Sequence, residues 1–227
     1  MYKEKTFLAI VPARGGSKRL PRKNVLDLNG KPLIGWSIEA GLNSSYVDSV
    51  VVTSDDSEIL KIAKEFNATT IERPKSLATD TSSTFDAIEH TINNLKRYDY
   101  IVLLQPTSPL RNSKHIDEAI ELLISKNADA IVSVCEMEHS PLWSNTLPEN
   151  DSMQGFLRDE VLNKRSQDLE THYWLNGAIY ICETEKLLEQ KSFFLKESIY
   201  AYKMSRENSV DIDEKIDFKI AEILMDV

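Results

Sequence analysis

Cysteine, glycine and proline are all scarce in this chain of 227 residues, which carries 2, 7 and 8 of them. Cys135 and Cys182 each end an apolar run, a setting that suits reduced core thiols better than a disulfide or a metal site. Sparse Gly and Pro, with no low-complexity tract and no internal repeat, argue against disordered and solenoid architectures. Long hydrophobic runs are missing too. Near the N-terminus the chain offers only Phe7 to Val11 before Pro12, too short for a secretory leader or a membrane span, so a cytoplasmic protein is expected. The last deficit is positive charge: 27 Lys and Arg stand against 36 Asp and Glu, a formal net charge of -9. That balance argues against nonspecific binding to nucleic acid or to a membrane surface, both of which want a basic face.

What is present is ordinary globular material, 41% hydrophobic, in a length that one α/β domain over 1–227 can fill. Phe7 to Val11, Val47 to Thr53 (apart from Asp48 and Ser49), Tyr100 to Leu104 and Ala130 to Val134 are apolar runs of the kind found in strands covered on both faces. Between and after them lie helical spacings. Ile59, Ala63 and Phe66 share one face; Ile116, Ala119, Ile120, Leu123 and Ile124 share another; Ile216, Ile220, Ile223 and Leu224 share a third. Strand–helix alternation predicts a three-layer α/β sandwich on a mainly parallel sheet, with ligands at the carboxyl ends of the strands. From about Cys135 to Tyr173 the rhythm breaks, and the polar, aperiodic stretch reads as a long active-site excursion or a dimerisation arm. Asn176 to Cys182 and Ile199 to Met204 then resume as strands.

One segment contradicts the acidic composition. Between Pro12 and Leu26 stand Arg14, Lys18, Arg19, Arg22 and Lys23 with no acid among them, around the pair Gly15 and Gly16. Glycines let backbone N–H groups approach a polyphosphate, and flanking cations neutralise it. The order of residues is neither that of a Walker loop nor that of a dinucleotide fingerprint. Five cations and two glycines directly after the first strand favour phosphate binding over a solvated basic turn.

This stretch, Pro12-Ala13-Arg14-Gly15-Gly16-Ser17-Lys18-Arg19-Leu20-Pro21-Arg22-Lys23-Asn24, resembles the signature of the acylneuraminate cytidylyltransferase (CMP-sialic acid synthetase) family. The resemblance continues through Glu72-Arg73-Pro74 and Leu77-Ala78-Thr79-Asp80-Thr81-Ser82-Ser83. It continues again in Leu104-Gln105-Pro106-Thr107-Ser108-Pro109-Leu110-Arg111, Asn176-Gly177-Ala178-Ile179-Tyr180-Ile181 and Ser209-Val210-Asp211-Ile212-Asp213. It implies a Rossmann-like nucleotidyltransferase fold and transfer of CMP from CTP to a nine-carbon 2-keto acid sugar. By the same resemblance Arg14, Gly15, Gly16, Ser17, Lys18 and Lys23 belong to the triphosphate and Asn24 lies near the ribose. Arg73, the backbone near Ala78 and Ser82 fall in the cytosine pocket, where a donor to O2 or N3 and an acceptor for N4 would reject uracil.

Asp211 and Asp213 flank Ile212, and on extended backbone two such carboxylates face one side and can share a hard cation; with the resemblance, that cation is magnesium. Arg14, Lys23 and Asp211 become the candidate catalytic groups, while Asp217 reads as a helix N-terminal charge. Gln105, Tyr180, Phe193 and Phe194 match sugar contacts, and Arg165 matches a residue that reaches in from the dimerisation arm, 136–173, of a homodimer. At Trp143 the family can carry a lysine directed at the sugar. An indole suits a less hydroxylated acid such as legionaminic acid, or else it anchors the interface. Two rival readings stand beside these: a cytidylyltransferase for the eight-carbon sugar Kdo, and a non-catalytic nucleotide-binding domain.

Overall fold

The computed structural model describes residues 1–79 and 81–225, so Asp80 of the matched motif lies outside the described residues. The chain runs through β1 (Phe7–Pro12), the two-residue strands β2 (Asp27–Leu28) and β3 (Lys31–Pro32), α1 (Leu33–Leu42), β4 (Ser49–Ser54), α2 (Ser57–Glu65) and β5 (Thr69–Glu72). It continues with α3 (Thr84–Asn93), β6 (Tyr100–Leu103), α4 (Ser113–Ser125), β7 (Ala130–Glu136), β8 (Tyr173–Glu183), α5 (Thr184–Gln190), β9 (Ile199–Met204) and α6 (Lys215–Met225).

Among the described residues seven strands form one sheet in the order β5-β4-β1-β6-β8-β7-β9, and β8 alone of the seven runs antiparallel to its neighbours. The mainly parallel sheet expected from the apolar runs is therefore present. Alternation along β1 explains the layers. Phe7, Ala9 and Val11 pack with Ile34 and Ile38 of α1, Ile59 and Ala63 of α2, and Ile116, Ala119, Ile120 and Leu123 of α4. Leu8 and Ile10 turn to the opposite face, toward Ile88 of α3 and Leu187 of α5.

Short elements complete the frame. Asn29 and Gly30, both at positive φ (50° and 80°), close the β2–β3 hairpin, a turn for which an Asn-Gly pair is suited. Leu28 of that hairpin, Leu33 and Ile212 form a satellite cluster with Ala221 of α6. The helix expected near the C-terminus is present, but its isoleucine stripe faces outward: Ile216, Ile220 and Ile223 are 59%, 41% and 65% exposed. Ala221 and Phe218 make the packing face instead. Periodicity located the helix, and the face that packs against the hairpin is the one that carries Ala221 and Phe218.

Between β7 and β8 the chain makes only short helical turns, at Pro141–Trp143, Asp159–Val161 and Ser166–Asp168. Cys135 and Cys182 are buried free thiols, and burial pushes the Cys182 thiol up to about 12, far from the reactive range.

Candidate active site

The loops after β1, β4, β5 and β6 converge at the carboxyl ends of these parallel strands, where β1 connects outward to β4 on one side and pairs with β6 on the other. A crevice opens at such a reversal of strand order. It holds a cleft of ≈ 500 Å³ whose walls include Arg14, Gly16, Ser17, Lys18, Arg19, Lys23, Asn24, Arg73, Ala78, Ser82, Gln105 and Asp213. The basic loop, the Arg73–Ser82 segment and the post-β6 loop are distant in sequence but share this one cavity.

Acids from elsewhere shape the basic loop. The Gly15 amide donates to Asp55 Oδ1 at 3.1 Å, and a Cβ on Gly15 would stand 2.6 Å from Asp56 Oδ2. Glycine is needed there for close packing against Asp56; the open space is at Gly16, where a Cβ would meet nothing within 4 Å. Arg22, in the left-handed region with φ 59°, donates to Asp56 Oδ2 at 2.5 Å and also pairs with Glu58. Arg22 thus tethers the loop to the start of α2 and is not among the residues lining the cleft. Asp56 serves twice, because its other oxygen accepts the Glu58 and Ile59 amides as the N-cap of α2.

Lys23 is only 9% exposed; its ammonium donates to the Ile212 carbonyl at 2.5 Å and to Asp213 Oδ1 at 3.2 Å. Arg19 donates to Asp213 Oδ2 at 2.6 Å. Two cations of the loop therefore meet one acid of the Asp211–Asp213 segment across the cleft. Asn24 uses its amide nitrogen on the Arg14 carbonyl at 3.0 Å, bracing the two limbs of the loop, and Arg14 donates to the Thr79 carbonyl at 3.3 Å.

Arg73 is buried, 6% exposed, with Asp55 3.9 Å away. Burial pulls its guanidinium below the ordinary arginine pKa, with Asp55 opposing and Arg14 adding to the shift. Among the described residues its buried Nε has no hydrogen-bond partner, and Arg73 lines the cleft together with Ala78 and Ser82. Ser82 Oγ accepts the Thr79 amide and donates to the Ser76 carbonyl, which fixes that wall.

The Asp211–Asp213 segment is pinned where Ile212, fully buried, donates its amide to the Thr107 carbonyl at 2.8 Å. Burial raises the Asp211 carboxyl above the usual carboxylate range, while a Thr107 hydrogen bond and Lys23 oppose and Asp213 adds. Asp211 Oδ1 is buried with no hydrogen-bond partner among the described residues. An orphaned carboxylate oxygen beside a second carboxylate suits a hard divalent cation. Asp217 accepts the Asp213 and Glu214 amides, the N-terminal role expected of it.

The remaining candidates are placed unevenly. Tyr180 lies close to Asp211, which adds to the upward shift that burial imposes on its hydroxyl. It stacks obliquely on Phe193 at 5.8 Å and meets Phe194 edge-on at 6.1 Å. Phe193 is part of the core beneath the sheet, whereas Phe194 is 51% exposed. Arg165 pairs with Asp168 within the excursion, and neither it nor Trp143 lines the cleft of its own chain. The sequence reading missed Asp55, Asp56 and Thr107. The available signal was an acid pair between the apolar run of β4 and the helical spacing from Ile59, a pattern that reads as an N-cap.

A family model described as cytidylyltransferase matches residues 8–224. The chain belongs to the cytidylyltransferase family. Among curated cytidylyltransferases it is 39% identical to the N-acylneuraminate cytidylyltransferase of Escherichia coli over 95% of this chain and 51% of that protein. It is 37% identical to the pseudaminic acid cytidylyltransferase of Campylobacter jejuni, over 97% and 96% of the two chains. It is 36% identical to the CMP-N,N'-diacetyllegionaminic acid synthase of Legionella pneumophila, over 97% of each. The chain spans about half the length of the N-acylneuraminate relatives it matches. In fold it is similar to the solved CMP:2-keto-3-deoxy-manno-octonic acid synthetase complexed with CTP, with TM-score 0.74, 17% identity and coverage of 97% and 98%. Among the described residues no helix is long and apolar enough to cross a membrane.

Proposed function

We propose that this cytidylyltransferase moves CMP from CTP to the anomeric hydroxyl of a nine-carbon 2-keto acid sugar, N-acetylneuraminic acid or a relative, and releases pyrophosphate. The observation that carries the reading is the cleft lined by Arg14, Lys18, Arg19 and Lys23, in which Arg19 and Lys23 meet Asp213, with Arg73 and Gln105 also on its walls. Cations on one side and carboxylates on the other suit a triphosphate carried with a divalent ion. Both substrates are anionic, so catalysis rests chiefly on holding them together and on stabilising charge at the α-phosphorus.

In this account the backbone at Gly16 and the side chains of Arg14, Ser17, Lys18 and Lys23 hold the phosphates, and Arg73 with the Ala78–Ser82 wall receives cytosine. Asp211 and Asp213 would hold magnesium, whose positive charge would neutralise the phosphate oxygens and so lower the repulsion between CTP and the acidic acceptor. Arg19 and Lys23 pair with Asp213 and, with the metal on that carboxylate, would turn to the phosphates.

Gln105, Tyr180 and Phe194 form the sugar end. Arg165 and Trp143 would reach a neighbouring copy, in a homodimer built on 136–173. Supporting this, Tyr173, Trp174 and Leu175 are consecutive, apolar or aromatic, and all exposed on the ribbon that carries the excursion. CTP as substrate and two reduced core thiols fit a cytoplasmic setting. Legionaminic acid is the second acceptor to consider, because an indole at Trp143 packs well against deoxygenated carbon and an acylamino group. Measuring kcat/KM at fixed CTP for N-acetylneuraminic acid, diacetyllegionaminic acid and Kdo tests the assignment. Turnover with either nine-carbon acid and negligible turnover with Kdo is expected, and Kdo as the best acceptor would overturn it.

A further inference from the structure

Arg111 is 1% exposed, and among the described residues its guanidinium donates to one hydroxyl and two backbone carbonyls. Burial pushes its pKa down to about 9, which still leaves a cation at neutral pH. A buried cation facing only neutral acceptors is costly to keep, so its partners are informative. Nη2 donates to Ser37 Oγ at 2.7 Å and to the Gln105 carbonyl at 3.4 Å, and Nε donates to the Ala178 carbonyl at 3.4 Å. Ser37, fully buried on α1, itself donates to the Gln105 carbonyl at 3.2 Å. One guanidinium therefore joins α1, the loop after β6 and strand β8.

The register explains why it is needed. The β6–β8 ladder ends at the pair Leu103 and Tyr180, and extending that antiparallel register by two residues sets Gln105 opposite Ala178. There Gly177, at φ 73°, departs from strand geometry, and a planar multi-donor group occupies the place of ladder bonds. The Gln105 side chain leans on this spot: a Cβ at Gly177 would stand 3.2 Å from Gln105 Oε1 and 3.9 Å from Asp211 Oδ2. The spacing between the two chains thus sets where the Gln105 amide can lie.

We propose that Arg111 is a positioning residue for the sugar end of the site: by spacing Gln105 from Ala178 it fixes the Gln105 amide over Gly177, and so the seat of the acidic sugar, without touching the nucleotide. This rests on the reading of Gln105 as a sugar contact. Ser37→Ala, a small change that removes the shortest acceptor of Arg111, and Arg111→Met, which keeps the bulk and loses the fork, are the variants to compare. Steady-state kinetics with N-acetylneuraminic acid and CTP should show the sugar KM raised by about tenfold, as a misplaced contact produces, with the CTP KM and CTP affinity by calorimetry within about twofold. If Arg111→Met does not fold, Ser37→Ala carries the test alone. Unchanged KM values in Ser37→Ala, or equal rises for both substrates, would overturn the proposal. Gln105→Ala separates the two layers. A raised sugar KM in Gln105→Ala with none in Ser37→Ala removes only the role of Arg111, whereas no effect in Gln105→Ala removes the sugar assignment and the proposal with it.

Discussion

At the scale of the residue, the proposed function asks Lys23 to meet an anionic substrate. Its ammonium is nearly buried and held by the Ile212 carbonyl and Asp213, so in the proposed account it has to exchange Asp213 for a phosphate oxygen. Lys23→Ala should lower kcat/KM by about 2 to 3 kcal/mol, the scale of a charge-assisted bond or one oxyanion donor. A loss smaller than about threefold, well under 1 kcal/mol, would remove Lys23 from the site. Asp213→Asn should abolish most turnover while the fold persists, and near-normal turnover at saturating magnesium would refute its part in holding the metal. At this scale the cationic loop was legible from residues 12 to 26, because charge of one sign in an acidic chain needs little context. The division of labour inside it was not. Arg22 and Gly15 answer to Asp56, 34 residues beyond Arg22, and local sequence does not reveal which cation an outside acid will claim.

Helices and strands mattered most where they end. Asp56 caps α2 and anchors Arg22 with the same carboxylate. Burial alone would raise its pKa, but the bonds from Arg22 and the Ile59 and Glu58 amides prevail and hold it below the usual value. A depressed carboxyl contributes stability above its unfolded pKa and loses that contribution as pH falls through the folded value. Asp56→Ala should therefore cost about 1 to 2 kcal/mol at neutral pH, as lost caps do, and the gap from the parent should narrow as unfolding is measured toward acid. A gap independent of pH would show that the ionised carboxylate is not what α2 uses. Apolar runs revealed β1, β4, β6 and β7, whereas α1, whose residues are almost all apolar or small, has no polar face to mark it. The outward stripe of α6 has the same origin: periodicity identifies an apolar face, and packing partners far along the chain decide which face is covered.

Over the whole molecule, the cleft sits where the sheet reverses its strand order, and a chain of net charge -9 concentrates cations there. That architecture is legible in the alternation of strands and helices, since parallel sheets place their ligand loops at one edge. What the alternation could not convey was the antiparallel insertion of β8 between β6 and β7, which brings Gly177 and Tyr180 beside Asp211. The central claim is that this cleft transfers CMP, and the most direct measurement follows the α-phosphorus. With CTP labelled at that atom, magnesium and N-acetylneuraminic acid or diacetyllegionaminic acid, the label should appear in a CMP-sugar with one pyrophosphate released per transfer. Label that stays in CTP, or passes only to free CMP, with both acids would contradict the account.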